Sequence, residues 1–159
     1  MKFLTKTECE GWLPQKGREL PSRTNSLVHR VDFPTEPYRI YGLARFLGDF
    51  FLKNEAALLW ITEWGIWPSS ENWPMYYRLR RSFEDNRALE EAPGHFFLQG
   101  ETDDLVSFIQ LSLLNGWEGY VLTETAGNLF FSHDEFLELF VDNEGALREL
   151  EAELTEWAL

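Results

Sequence analysis

Apolar positions along the chain change their period several times, and each change marks an element. Residues 27–33 combine short apolar runs with β-branched residues, and Pro34 and Pro37 close the stretch, which predicts a strand. Leu43, Phe46, Leu47, Phe50 and Phe51 then fall at i, i+3, i+4, i+7 and i+8, one face of a helix over residues 38–53. Residues 56–62 form a continuous apolar run, suited to a strand covered on both faces. Pro74 predicts a helix start, because its missing N–H costs nothing in a first turn. That helix runs to about Phe83, burying Tyr76, Leu79 and Phe83 and showing Arg78 and Arg81 to solvent.

Residues 95–99 read as a second buried strand. Thr102 is a good N-cap, with Asp103 and Asp104 placed to complement the helix dipole. The helix extends to Asn115, and Gly116 is a natural stop. Residues 120–123 and 129–131 make a hairpin around Ala126, Gly127 and Asn128. Ser132 and Glu135 have capping-box spacing, which predicts a helix with Phe136, Leu139 and Phe140 on its apolar face. A last helix carries Leu147, Leu150, Leu154 and Trp157. Residues 1–26, polar and interrupted by Gly11, Pro14, Gly17 and Pro21, read as an irregular arm ahead of a single domain over residues 27–159. The span 56–123 holds two consecutive strand–helix–strand units, which favour parallel neighbours. The expected fold is α/β, with α+β as the alternative: a mixed, mostly parallel sheet with a C-terminal β-hairpin and helices packed on it.

Charge sharpens this picture. The net charge is −13, and residues 101–159 hold fourteen acidic residues against one basic residue, Arg148. Such a surface repels nucleic acid and anionic membrane and attracts a basic partner. The single cysteine, Cys9, excludes an internal disulfide and favours a reducing, cytoplasmic compartment. Glu8 and Glu10 on either side raise its pKa and do not activate it. No apolar run approaches the length of a membrane span, and the first residues lack a signal-peptide core.

The common chemical signatures are absent: no phosphate loop, no dinucleotide fingerprint, no nucleophile elbow, no paired C-x-x-C. No cofactor, metal or catalytic residue is therefore expected. The most unusual stretch is residues 63–73, long for a strand-to-helix loop and carrying Glu63, Trp64, Trp67, Ser69, Ser70, Glu71 and Trp73. Its tryptophans either fold back over the core or serve as anchors for a partner. With parallel strands, Glu63, Glu101, Asp103 and Glu124 gather along one rim beyond the strand ends. There they would hold a cation or supply a general acid and base, the plain alternative being helix-terminus electrostatics. His29, His95 and His133 have no metal-site spacing, and Arg78, Arg80 and Arg81 are expected to pair with the acidic third.

These readings favour a non-enzymatic protein-binding domain, with its acidic surface and Trp-rich loop holding a basic protein in the manner of a bacterial immunity or antitoxin inhibitor. It would act without nucleic acid or membrane, as a monomer or weak homodimer. One alternative is a metal-assisted or acid–base hydrolase using the rim carboxylates with His95 or His133. The other is a structural subunit dimerising through its last helix.

Overall fold

The apolar run at residues 57–61 becomes the strand on which the sheet is assembled. A computed structural model describes residues 1–15, 19–21, 26–64 and 73–157. In chain order the elements are β1 (Lys2–Leu4), α1 (Lys6–Gln15), β2 (Leu27–Asp32), α2 (Pro37–Phe51), β3 (Ala57–Glu63), α3 (Trp73–Ser82), β4 (Gly94–Phe97), α4 (Thr102–Leu114), β5 (Glu118–Leu122), β6 (Asn128–Phe131), β7 (Phe136–Val141) and α5 (Glu144–Trp157). The strands form one seven-stranded sheet in the order β1-β4-β3-β5-β6-β7-β2. Every pairing is antiparallel. The two edges are thus the first two strands of the chain.

The fold is α+β, and the expected mostly parallel sheet does not form. A helical crossover makes two strands run the same way; it does not make them neighbours. β4 and β5, joined through α4, do run the same way, because both pair antiparallel with β3. β3 lies between them, as in a split strand–helix–strand unit. β2 and β3, joined through α2, also run alike, and three strands separate them.

Two local readings are corrected as well. Residues 2–15, expected to be irregular, form β1 and α1. Thr5 and Glu8 cap α1 reciprocally: the Thr5 N–H donates to Glu8 Oε2 at 2.8 Å, and the Glu8 N–H donates to Thr5 Oγ1 at 3.3 Å. The same motif at Ser132 and Glu135 opens no helix. There the Asp134 N–H donates to Ser132 Oγ at 3.2 Å, the Ser132 N–H donates to the Phe136 carbonyl at 2.9 Å, and Glu135 turns left-handed at φ 63. A serine hydroxyl that closes a local turn serves a hairpin as well as a helix. The chain enters β7, with Leu137, Leu139 and Val141 on one face and Phe136, Glu138 and Phe140 on the other. The expected helical face of Phe136, Leu139 and Phe140 is therefore split across the sheet.

The main core lies on one face, where Leu59, Ile61, Val121, Leu129 and Leu139 of the sheet meet α2, α4 and α5. α4 ends at Gly116, at φ 61, as its sequence predicts. The Trp157 ring lies so close to Gly42 that a Cβ there would stand 2.2 Å from it. On the opposite face α1 packs Cys9, Trp12 and Leu13 over Leu58, Trp60 and Leu122. Gly94 allows that approach, since a Cβ on it would fall 2.2 Å from Cys9 Sγ. Burial first, then Glu8 and Glu10, pushes the Cys9 thiol up to about 12. Among the described residues no helix is long and apolar enough to cross a membrane.

A polar cluster is sealed into the main core. Arg80 and His95 are fully buried, and Tyr76 nearly so. His95 Nδ1 lies 3.3 Å from the Leu59 carbonyl, which only accepts. That places the ring proton on Nδ1, so Nε2 accepts from the Tyr76 hydroxyl. Arg80 Nη2 donates to Asp85 at 3.1 Å, and its guanidinium sits 4.7 Å from the centre of the Phe3 ring. Arg87 also donates to Asp85, and reaches the Phe3 carbonyl at 3.1 Å. The expected pairing of Arg80 with the acidic C-terminal third does not occur; its carboxylate is five residues away in sequence.

Two predictions follow from this cluster. Removing one partner of a buried ion pair strands the other charge, so Asp85→Ala should cost about 3–5 kcal/mol, read from urea unfolding at neutral pH. Burial first, and Arg80 second, lowers His95 from its ordinary 6.5 to about 3. A depressed value adds stability that is full above pH 6.5 and drains as the pH falls toward 3. The unfolding midpoint should therefore drop on acidification through that window, and His95→Gln should flatten the part of the slope above the carboxylate range.

Candidate functional site

β3 has seven residues, which at strand rise span about 20 Å. In the antiparallel sheet its two ends belong to different sites. Glu63 lies at its carboxyl end. Glu101, Asp103 and Glu124 follow β4 and β5, which run the other way, so they lie at the opposite end of the sheet. The four carboxylates expected to gather on one rim are thus divided.

Of those at the far end, Glu101 and Asp103 are taken up in ion pairs. Glu101 accepts the Leu98 N–H at 2.8 Å and pairs with the Met1 amino group. Burial alone would raise its carboxyl; these two contacts outweigh burial and hold it below the ordinary range. Asp103 is exposed and pairs with Arg45 of α2. Glu124 sits in the β5–β6 turn, whose backbone is gripped by Glu55, a residue the sequence did not single out. The Glu55 carboxylate accepts the N–H groups of Glu124 at 2.6 Å, Thr125 at 3.0 Å and Ala126 at 2.6 Å. A groove of about 830 Å³ opens beside this turn, between the end of α2 and α5.

At the other end, Trp64 folds back onto the core, with its ring centre 4.9 Å from Trp117 and 5.7 Å from Tyr76. Trp67, Ser69, Ser70 and Glu71 lie outside the described residues, and Trp73 opens α3.

Next to Trp64 the sheet brings together three side chains that are far apart in sequence. β3 is bulged between Ile61 and Glu63 where it pairs with β5. Regular pairing would set Thr62 opposite Glu118; the bulge sets Glu63 there instead, carboxylate opposite carboxylate. His133, in the β6–β7 turn, points Nδ1 at both, 3.1 Å from Glu118 Oε2 and 3.8 Å from Glu63 Oε2. Ser132 Oγ lies 3.4 Å from Glu118, and His133 Nε2 lies 3.5 Å from Asp134. Of the other histidines, His95 is buried and His29 pairs with Glu151 at 3.1 Å.

A third surface is built by α5 and the first turns of α2. α5 runs antiparallel to α2: Ala146 and Leu150 lie by Phe50 and Phe46, and Trp157 lies on Gly42. Leu150 and Leu154 are buried, while Glu144, Glu151 and Glu153 face solvent or are half-buried. Arg148, the one base, is exposed and pairs with Glu144 at 3.4 Å. Beyond Trp157, Tyr38 and Tyr41 stand one turn apart on α2, 73% and 50% exposed.

Because Glu55 satisfies three backbone donors with one charge, Glu55→Ala should destabilise the protein by about 1.5–3 kcal/mol, with the loss of amide-exchange protection centred on residues 124–126. No family model matches the chain, and no curated protein or solved structure matches it.

Proposed function

We propose that this chain is a non-enzymatic binding domain that holds a basic protein on the surface formed by α5 and the start of α2. The observation that supports it best is the pairing of an acidic helix with exposed aromatics. α5 buries Leu150 and Leu154 and leaves Glu144 and Glu153 exposed, with Glu151 half-buried beside His29 and Arg148 as the one base of residues 101–159. Tyr38 and Tyr41 are exposed in the first turns of α2, Tyr41 next in sequence to Gly42, on which Trp157 lies. Complementary charge sets encounter rate and specificity, while rigid aromatic anchors supply affinity. A toxin or nuclease with a basic active face fits such a surface, and covering that face is how an immunity or antitoxin protein inhibits. A cytoplasmic setting suits the reading, since the one cysteine is a buried free thiol. So does a monomer, since Leu150 and Leu154 are already buried within the chain.

The test uses the full chain, immobilised, with basic proteins from the lysate of its source. A stoichiometric partner should be retained at low salt, and its affinity should fall steeply as salt rises. Tyr38→Ala with Tyr41→Ala should weaken binding at least tenfold, and charge reversal at Glu144, Glu151 and Glu153 should abolish it, with the circular dichroism unchanged. Retention that ignores both salt and charge reversal would sink the reading.

A further inference from the structure

The geometry points to a divalent-cation site formed by Glu63, Glu118 and His133, of the mixed nitrogen–oxygen kind that takes Zn2+. It is independent of the α5 surface and makes no use of that reading.

Three observations carry it. The first is the bulge. Like charges directly opposite across a strand pair are destabilising. Regular pairing would have avoided the contact by placing Thr62 opposite Glu118. The bulge creates it, and bulges concentrate where a side chain is re-aimed toward a site. A cation between the two carboxylates turns that repulsion into coordination.

The second is the imidazole. A neutral ring has one N–H and one lone pair. Asp134 lies at Nε2, 3.5 Å away, and Glu118 and Glu63 lie at Nδ1. Without metal, Nδ1–H donates to Glu118 Oε2 at 3.1 Å, so one proton joins imidazole and carboxylate. A metal ion at Nδ1 takes that proton's place, and the ring proton then sits on Nε2, facing Asp134. It also makes Asp134 the outer partner that orients a ligating histidine through its second nitrogen. Ser132, 3.4 Å from Glu118, supports the carboxylate in the same manner.

The third is spacing. Ligand atoms about 2.1 Å from a tetrahedral ion stand roughly 3.4 Å apart. One ligand atom from each of the three residues lies within 4.8 Å of the other two, and the His133 distances of 3.1 and 3.8 Å bracket the ideal value. Glu63 is 59% exposed at its side chain and free to close the remainder. Imidazole favours Zn2+ over Mg2+ and Ca2+, which prefer oxygen alone. Three protein ligands leave the fourth position of a tetrahedron open to water or to a group from a partner.

The experiment titrates the full chain, stripped with chelator, with Zn2+ against a competing metallochromic dye, and repeats it with Co2+ for its visible absorption. The expected result is one ion per chain. Co2+ should give the intense visible bands of a four-coordinate site. His133→Ala and Glu118→Gln should each lower Zn2+ affinity at least tenfold, and Asp134→Asn by a smaller factor. His29→Ala, at the other histidine–carboxylate pair, should leave it unchanged. Because His133 is on a surface turn, its variant should keep the wild-type urea midpoint without metal. In imidazole-detected nitrogen spectra, Zn2+ should move the Nδ1 resonance of His133 and leave His95 in place. The proposal is overturned by wild-type protein that takes up no stoichiometric Zn2+. Uptake that survives His133→Ala, or that His29→Ala removes, overturns it equally.

Discussion

The double pairing of β3 is the constraint on which the molecule is built. It is hydrogen-bonded to β4 on one side and β5 on the other, and Ala57, Leu58 and Leu59 are fully shut off from water on both faces. Each buried leucine is worth about 1.5–3 kcal/mol relative to exposure. Leu59 and Ile61 seat α2 and α4, and Leu58 and Trp60 seat α1. A strand fixed in this way also fixes what lies at its ends. Glu55, just before it, clamps the β5–β6 turn, and Glu63, its last residue, meets Glu118 and His133.

Local periodicity showed where most elements begin and end, because burial of a face imprints its own period on the chain. α2, β3, α4 and α5 fall close to where the apolar positions place them. Strand direction carries no such imprint. The stretch 56–123 looks the same whether β3 and β4 run together or oppose one another, and partner choice depends on contacts far apart in sequence. β7 shows a local ambiguity: Phe136, Leu139 and Phe140 satisfy a helical spacing while Leu137, Leu139 and Val141 satisfy a strand spacing. The cap signature at Ser132 closes a hairpin turn, whereas the equivalent signature at Thr5 and Glu8 does open a helix.

The site residues divide in a similar way. Glu63 was legible as an acid at a strand end beside an unusual loop. Glu118 has no signal of its own, and His133 stands in the sequence only as one of two histidines for a hydrolase, since a bulge in β3 and the register of the β5–β6–β7 meander bring them to it. Arg80 was grouped with Arg78 and Arg81 by sequence, yet it points inward to Asp85 and His95 while they face solvent. On an amphipathic helix the outcome for one arginine among three rests on which turn meets a carboxylate, and Asp85 comes from the loop that follows.

The placement of β1 and β2 at the two sheet edges has a consequence for how the chain is made. β1 pairs with β4, as Lys2 opposite Phe96, and β2 pairs with β7, as Leu27 opposite Val141. β2, made second, therefore finds its partner last, because β7 is the final strand. During vectorial synthesis β1 waits until residues 94–97 are made, and β2 waits until residues 136–141 are made. Contacts of such long sequence separation slow folding, and strands held unpaired meanwhile are open to pairing with other chains. Nascent-chain shielding by chaperones thus matters most for β2, which stays unpaired while more than a hundred residues are added after it.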